Sequence, residues 1–379
     1  MAESKIEGLS VSHTFMPLKN PVSDAKVANG LQTELRGIDL FFVEIFDNYG
    51  DQSVGFSYTL RAGGDALFSL GCEIAPSLLG LPSADVQKHW EMLAWRVNSL
   101  GVGGLAYQTI AAFDSALWDL KAKKAGLPLA KLIGAHHSGV RVYNSGGQYL
   151  QASIDDICLA AKNSVNAGVG GIKMKVGQPN WRKDIERLEA LRATIGPNVS
   201  LMTDANQQWT RSEALDFCCK VDDLGLTFIE EPLSARDYHG HAALSAKLTT
   251  PIATGEMLTS YDEHRALINA GGCSINQVDA PRIGGVTPFL RVKELARQNN
   301  IGLAPHFVME QHLQLVATFE NEGWVEHFDW LEPLFTERLE IRDGRMWLPD
   351  RPGFGLTPSE TMRSNTRSNR RFGATIRND

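Results

Sequence analysis

From residue 140 onward the chain alternates short apolar strand candidates with amphipathic helical stretches, and this rhythm restricts the fold more than any other feature. The strand candidates cover 140–143, 171–176, 200–204, 227–230, 252–256, 275–279, 302–306 and 324–328. Helical patterns fill most of the gaps, at 181–195, 211–224, 238–248, 260–270, 286–299 and 310–320. Eight strands set roughly 20–30 residues apart predict an α/β fold of the (β/α)8 or TIM-barrel type, with its last helices degenerate. A doubly wound sheet would want a glycine-rich phosphate turn early in the chain, and none is present.

The first part of the chain reads differently. Residues 37–47 are rich in β formers and run into a turn at Asn48-Tyr49-Gly50, with 54–58 as the returning strand. Val86, Trp90, Leu93 and Val97 then recur at helical spacing, as do Ile110, Phe113, Leu117 and Leu120. Strands followed by helices predict a small α+β domain. The expected organisation is an N-terminal α+β capping domain over 1–135, a barrel catalytic domain over 136–335, and a C-terminal segment, 336–379, that returns to the capping domain. That segment holds a hairpin around Asp343-Gly344 and a basic tail with Arg363, Arg367, Arg370 and Arg371, read as a surface or frayed terminus.

Composition narrows the partners. A net charge of −7 over 379 residues gives no reason to expect nucleic acid. No segment approaches 18 consecutive apolar residues, so no membrane partner is expected. The five cysteines show no CxxC spacing, which suits reduced thiols and a cytoplasmic location.

Active sites of barrels gather at the C-terminal ends of the strands, so the last polar residues of each candidate carry the chemistry. The second strand offers Lys173 and Lys175, which alternate with Ile172, Met174 and Val176 and therefore point to one side. Two ammonium groups side by side repel, which is expected to lower the pKa of at least one and allow a lysine base. The third, fourth and fifth strands end on Asp204, Glu230 and Glu256. Glu231 competes with Glu230, and Glu230 is chosen because it continues the strand from Phe228. Carboxylates from three consecutive strands converge, and an oxygen-only donor set suits a hard cation such as Mg2+. The sixth and seventh strands end on Asp279 and His306, a pair in which the carboxylate can orient the ring. A cation held by Asp204, Glu230 and Glu256 can bind a substrate carboxylate and stabilise the enediolate left when its α-proton departs. Lys175 and the His306–Asp279 pair would flank the substrate, one removing the α-proton and the other protonating a departing β-hydroxyl or the opposite face of the α-carbon.

These residues, with Asn206, Glu230-Glu231-Pro232, Gly255-Glu256, Gly284-Gly285-Val286 and Glu326, resemble the enolase superfamily, mandelate racemase subgroup, over nearly the whole chain. Within it the chain is most similar to the acid-sugar dehydratases. The resemblance implies one Mg2+ per subunit, Lys175 as proton acceptor and His306 as proton donor. It also implies Lys173 and Glu326 on the substrate carboxylate and Asn206 in the polar shell beside the metal. An aldarate has a second carboxylate that needs a cation from the capping domain, for which Lys26 and Arg61 are the candidates, with Asp24 binding hydroxyls. The implied function is Mg-dependent dehydration of a small sugar diacid to a 2-keto-3-deoxy product, with room for epimerase activity. A homo-oligomer is implied, with an octamer the candidate assembly. A racemase or epimerase of a 2-hydroxy acid, a dehydratase of another sugar acid and a non-catalytic sugar-acid binding module are the alternatives.

Overall fold

In the computed structural model, which describes residues 3–374, the chain forms two sheets. The first is antiparallel and packs as β14-β1-β2-β3, with β1 Ile6–Val22, β2 Leu35–Asp47, β3 Gln52–Leu60 and β14 Thr366–Gly373. The run Ile38–Ile45 is apolar at nearly every position because β2 is covered on both faces. Phe41, Val43 and Ile45 join Ile110, Phe113 and Leu117 in the core of the capping domain. Ile38, Leu40 and Phe42 point the other way, into a cluster with barrel residues such as Val286 and Phe289. The cap is thus a sheet held between its own helices and the barrel.

Strand β3 lies close against the helix Gly104–Lys124. A Cβ on Gly55 would lie 2.3 Å from both Ala112 O and Ala116 N, which are rigid helix backbone. Gly55→Ala should therefore push the helix off the sheet and cost about 1–3 kcal/mol, read as a lower midpoint in urea unfolding. The helix Gly64–Ile74 escaped the sequence reading because its glycines look like breakers. Gly71 is needed there, since the Phe41 ring sits where its Cβ would be.

The second sheet is the barrel. Its parallel strands are β4 Gly139–Asn144, β5 Gly171–Lys175, β6 Ser200–Asp204, β7 Phe228–Glu230, β8 Ile252–Thr254, β9 Ile275–Asn276, β10 Gly302–Leu303 and β11 Trp324–His327. Each of β4 to β9 pairs with the next, and β11 pairs with β4. All eight expected strands are present. The later ones are shorter than their sequence pattern suggests: Glu256, Asp279 and His306 lie just past the strands rather than within them. Pro281 and Pro305, which lack an N–H for the ladder, and Gly255 at φ +135° help end the pairing there. The last βα unit keeps only the short turn Glu332–Leu334, so the final helix is degenerate as expected.

Two expectations for the C-terminal segment are corrected. The hairpin β12 Glu340–Arg342 and β13 Arg345–Trp347 does not join the cap sheet; β13 pairs antiparallel with β4, from Gly139 to Arg141. Strand β4 meets β5 only at Tyr143 and Asn144, so its first half exposes an edge that the hairpin covers. The basic tail is not frayed. Residues 366–373 form β14 against β1, Asn369 Nδ2 donates to Ser10 Oγ at 3.0 Å, and the Arg367 guanidinium stacks over Phe15. Arginines on an outer strand suit an edge that must not pair further. No helix among the described residues is long and apolar enough to cross a membrane.

Candidate active site

A cavity of about 840 Å³ lies between the cap and the C-terminal ends of the barrel strands. Lys173, Lys175, Asp204, Glu256, His306 and Glu326 line it from the barrel, and Asp24, Lys26 and Arg61 line it from the cap. Strand β5 sends Ile172, Met174 and Val176 outward into the layer packed by helices such as Arg182–Ile195, which leaves both lysines facing inward.

Asp204, Glu230 and Glu256 are buried, and one oxygen from each lies within 4.8 Å of the others. Glu230 is the last residue of β7 and its carboxylate joins the cluster, whereas Glu231 leaves the strand at φ +40°. Around the triad, Lys173 Nζ donates to Glu230 Oε2 at 2.7 Å and pairs with Glu326 Oε1 at 2.7 Å. Lys175 forms an ion pair with Asp204. Three acidic side chains thus share two ammonium groups, with Glu256 beside them and nearest to His306. Burial opposes ionisation of Asp204, but Lys175 and Lys173 pull it down to about 2. Glu326 falls to about 2 in the same way, through Lys173. Glu230 bears the excess: burial and the Asp204 charge push its carboxyl well above the usual range despite Lys173. Such a cluster takes up either a proton or a cation, and its all-oxygen donors fit a hard divalent ion.

The expected fall in lysine pKa is not what the geometry gives. Burial works against the ammonium form of both, but the carboxylates outweigh it. Glu230 and Glu326 hold Lys173 well above the ordinary lysine range, and Asp204 holds Lys175 above it. Each lysine has its own counter-charge, which is stronger than their mutual repulsion.

At the other end of the triad, His306 Nδ1 lies 2.8 Å from Asp279 Oδ2, and Nε2 lies 3.7 Å from Glu256 Oε2. Asp279 is buried, yet the His306 hydrogen bond and the Arg282 charge keep its carboxyl below the usual range. The expected dyad is therefore formed, with Nε2 turned toward the triad. Asn206, at φ +45°, donates its N–H to Asp204 Oδ1 at 2.8 Å and lines the cavity.

The remaining expected residues line the cavity but are already engaged by neighbouring groups. Glu326 accepts from Ser145 Oγ at 2.5 Å and from Phe307 N at 2.6 Å as well as holding Lys173. Asp24 caps the short turn Ala25–Ala28 through Oδ1 and takes Arg61 Nη2 on Oδ2 at 3.1 Å. Lys26 Nζ reaches across to the Gln207 carbonyl at 2.7 Å, tying the cap to the loop after β6. Sequence reasoning missed Tyr58 and Arg282, which surround Asp279. A tyrosine in an alternating strand reads as core, and an arginine after a proline turn as surface, so no local signal marks either.

A carboxylate triad flanked by a lysine and a His–Asp dyad at the mouth of a capped barrel defines a metal-assisted enzyme that abstracts a proton next to a carboxylate. Residues 156–362 match the family described as enolase C-terminal domain-like, and residues 51–134 match the mandelate racemase/muconate lactonizing enzyme N-terminal domain. The chain belongs to this family of the enolase superfamily.

Among its relatives, L-talarate/galactarate dehydratase of Salmonella typhimurium is 49% identical over 97% of this chain and 93% of its own length. The crystal structure of that enzyme with Mg and L-lyxarohydroxamate superposes with a TM-score of 0.98, at 48% identity over 99% of this chain and 96% of that one. L-talarate dehydratase from Polaromonas sp. JS666, complexed with Mg and L-glucarate, has a TM-score of 0.96 at 49% identity, covering 98% of this chain and 100% of that one. A more distant relative, 3,6-anhydro-alpha-L-galactonate cycloisomerase of Streptomyces coelicolor, is 36% identical over 84% of this chain and 88% of its own length.

Proposed function

We propose that this chain is an Mg2+-dependent hydro-lyase that dehydrates aldarates, with galactarate and L-talarate as its substrates. The observation that carries the reading is the meeting of triad, lysine and His–Asp dyad in one capped cavity, in a chain so similar to dehydratases of these acids. Asp204, Glu230 and Glu256 hold the ion. Bound there, Mg2+ supplies positive charge for the substrate carboxylate as negative charge develops on it, and competes with Lys175 for Asp204. Lys175, as the neutral amine left once its own proton has gone to solvent, takes the α-proton. His306, aimed by Asp279, gives its Nε2 proton to the β-hydroxyl, which leaves as water. The enol so formed ketonises to a 2-keto-3-deoxy aldarate. Lys173, locked between Glu230 and Glu326, places a fixed positive charge beside the substrate carboxylate.

Arg61 and Lys26 are assigned the distal carboxylate, since they are the cations that the cap presents to the cavity. Asp24 serves to hold Arg61 in place and to present an oxygen to the sugar hydroxyls. A panel of aldarates and monocarboxylic sugar acids, assayed with Mg2+ for 2-keto acid formation, tests the reading directly. Turnover confined to monocarboxylic acids would refute the dianion assignment. Arg61→Ala should raise KM for galactarate roughly 10- to 100-fold, the worth of a charge-assisted hydrogen bond, and leave monocarboxylic acids unaffected.

The same reading divides the chain at about 135 and 335, and takes it as a cytoplasmic homo-oligomer with an octamer as candidate assembly. The exposed Trp95, Leu100 and Val102 offer apolar surface of the kind a subunit contact covers.

A further inference from the structure

Strand β3 alternates between two neighbours. Gly55 lies against the cap helix Gly104–Lys124, whereas Phe56 and Tyr58 belong to the cluster shared with the barrel. The Tyr58 hydroxyl therefore leaves the cap and enters the dyad. It donates to Asp279 Oδ2 at 2.5 Å and lies 3.1 Å from His306 Nδ1, which itself reaches the same Oδ2 at 2.8 Å. The other carboxylate oxygen, Oδ1, accepts the Arg282 N–H at 3.1 Å. Arg282 Nε stands 3.8 Å from Oδ2, a competing donor just out of hydrogen-bond range.

The tyrosine is held firmly. Its ring meets Phe307 edge-on at 5.0 Å, and its carbonyl accepts from Gln108 Nε2 at 3.2 Å. Burial, reinforced by the Asp279 charge and only partly offset by Arg282, pushes the phenol well above its ordinary value, so the hydroxyl stays protonated and donates.

We propose that Tyr58 is a positioning residue for the proton-donating arm: its hydroxyl pins the Asp279 oxygen that aims His306 at the departing hydroxyl, making this step depend on a docked capping domain. The proposal rests on the dehydratase reading above. Without the Tyr58 donor, Oδ2 is free to turn to Arg282 Nε, and the imidazole loses the acceptor that fixes its direction. Lys175, paired with Asp204 at the opposite end of the triad, does not touch this network. Proton abstraction should proceed while loss of the β-hydroxyl slows, so the intermediate returns to substrate more often than it goes forward.

Tyr58→Phe removes one oxygen and keeps the ring and its packing. With galactarate in D2O, kcat for dehydration should fall roughly 10- to 100-fold, as for loss of an outer hydrogen-bond partner, with KM within about 3-fold. The deuterium washed into remaining substrate, per product formed, should rise at least about 10-fold over wild type. A merely structural defect lowers exchange and dehydration together and leaves that ratio unchanged; this result, or an unchanged kcat, overturns the proposal. Wild-type protein that neither exchanges nor dehydrates any acid sugar would instead contradict the dehydratase reading. The crystal structure of Tyr58→Phe then decides the positioning claim. Asp279 turned toward Arg282 with a displaced His306 ring supports it, and an unmoved dyad overturns it.

Discussion

Lys175→Ala is expected to lower dehydration of galactarate by about 10⁴-fold, the upper end of what a positioned general base contributes. The loss should fall on kcat, because the ammonium of Lys173 and the cap cations remain to bind the substrate. It should also abolish exchange of the α-proton with solvent, since Lys173, the other amine near Asp204, is held as an ammonium by Glu230 and Glu326. The substitution removes the partner of a buried aspartate, so its Mg2+ affinity must be measured alongside. Retained metal binding with lost exchange isolates the proton-transfer role. Lys173→Ala makes the contrast. Lys173 is 2% exposed and sits between Glu230 and Glu326, so its removal leaves buried carboxylates unpaired. That change should cost about 3–5 kcal/mol of stability as well as activity, visible in thermal unfolding. Equal behaviour of the two variants in both assays would contradict the division of labour between them.

Removal of the divalent ion should have an effect of the same order. Chelation by EDTA is expected to take activity to background and excess Mg2+ to restore it. The protein should remain folded throughout, because Asp204, Glu230 and Glu256 are carried by a barrel whose core is built from other residues. Readdition of Mg2+ at 100 times its Kd should stabilise the fold by about 2.7 kcal/mol through binding alone. Glu230→Gln should weaken binding, as it removes the charge of one of the three carboxylates that converge on a single point. Full activity in the presence of the chelator would sink the metal assignment.

Much of this was legible in the sequence because a barrel turns linear order into geometry. Once the strands between 140 and 328 are recognised, their last polar residues must face one mouth, and Asp204, Glu230, Glu256, Asp279 and His306 follow from position alone. What stayed hidden depends on partners far apart in the chain. The hairpin 340–347 carries a clear turn signal, but nothing local says that its edge belongs to β4. The tail 366–373 is polar and basic, and becomes a strand only because β1 presents an edge to it. The lysine pair invites an argument from repulsion, which fails because each ammonium has its own carboxylate. Tyr58 and Asp279, 221 residues apart, meet only when the cap docks on the barrel.

The most direct measurement is proton NMR of galactarate incubated with the protein and Mg2+ in D2O. The account predicts a 2-keto-3-deoxy acid carrying one deuterium at C3, formed only when both protein and metal are present. Exchange or inversion at the α-carbon with no such product would mean a racemase or epimerase, and an unchanged spectrum would mean that galactarate is not a substrate; either result contradicts the galactarate dehydratase assignment.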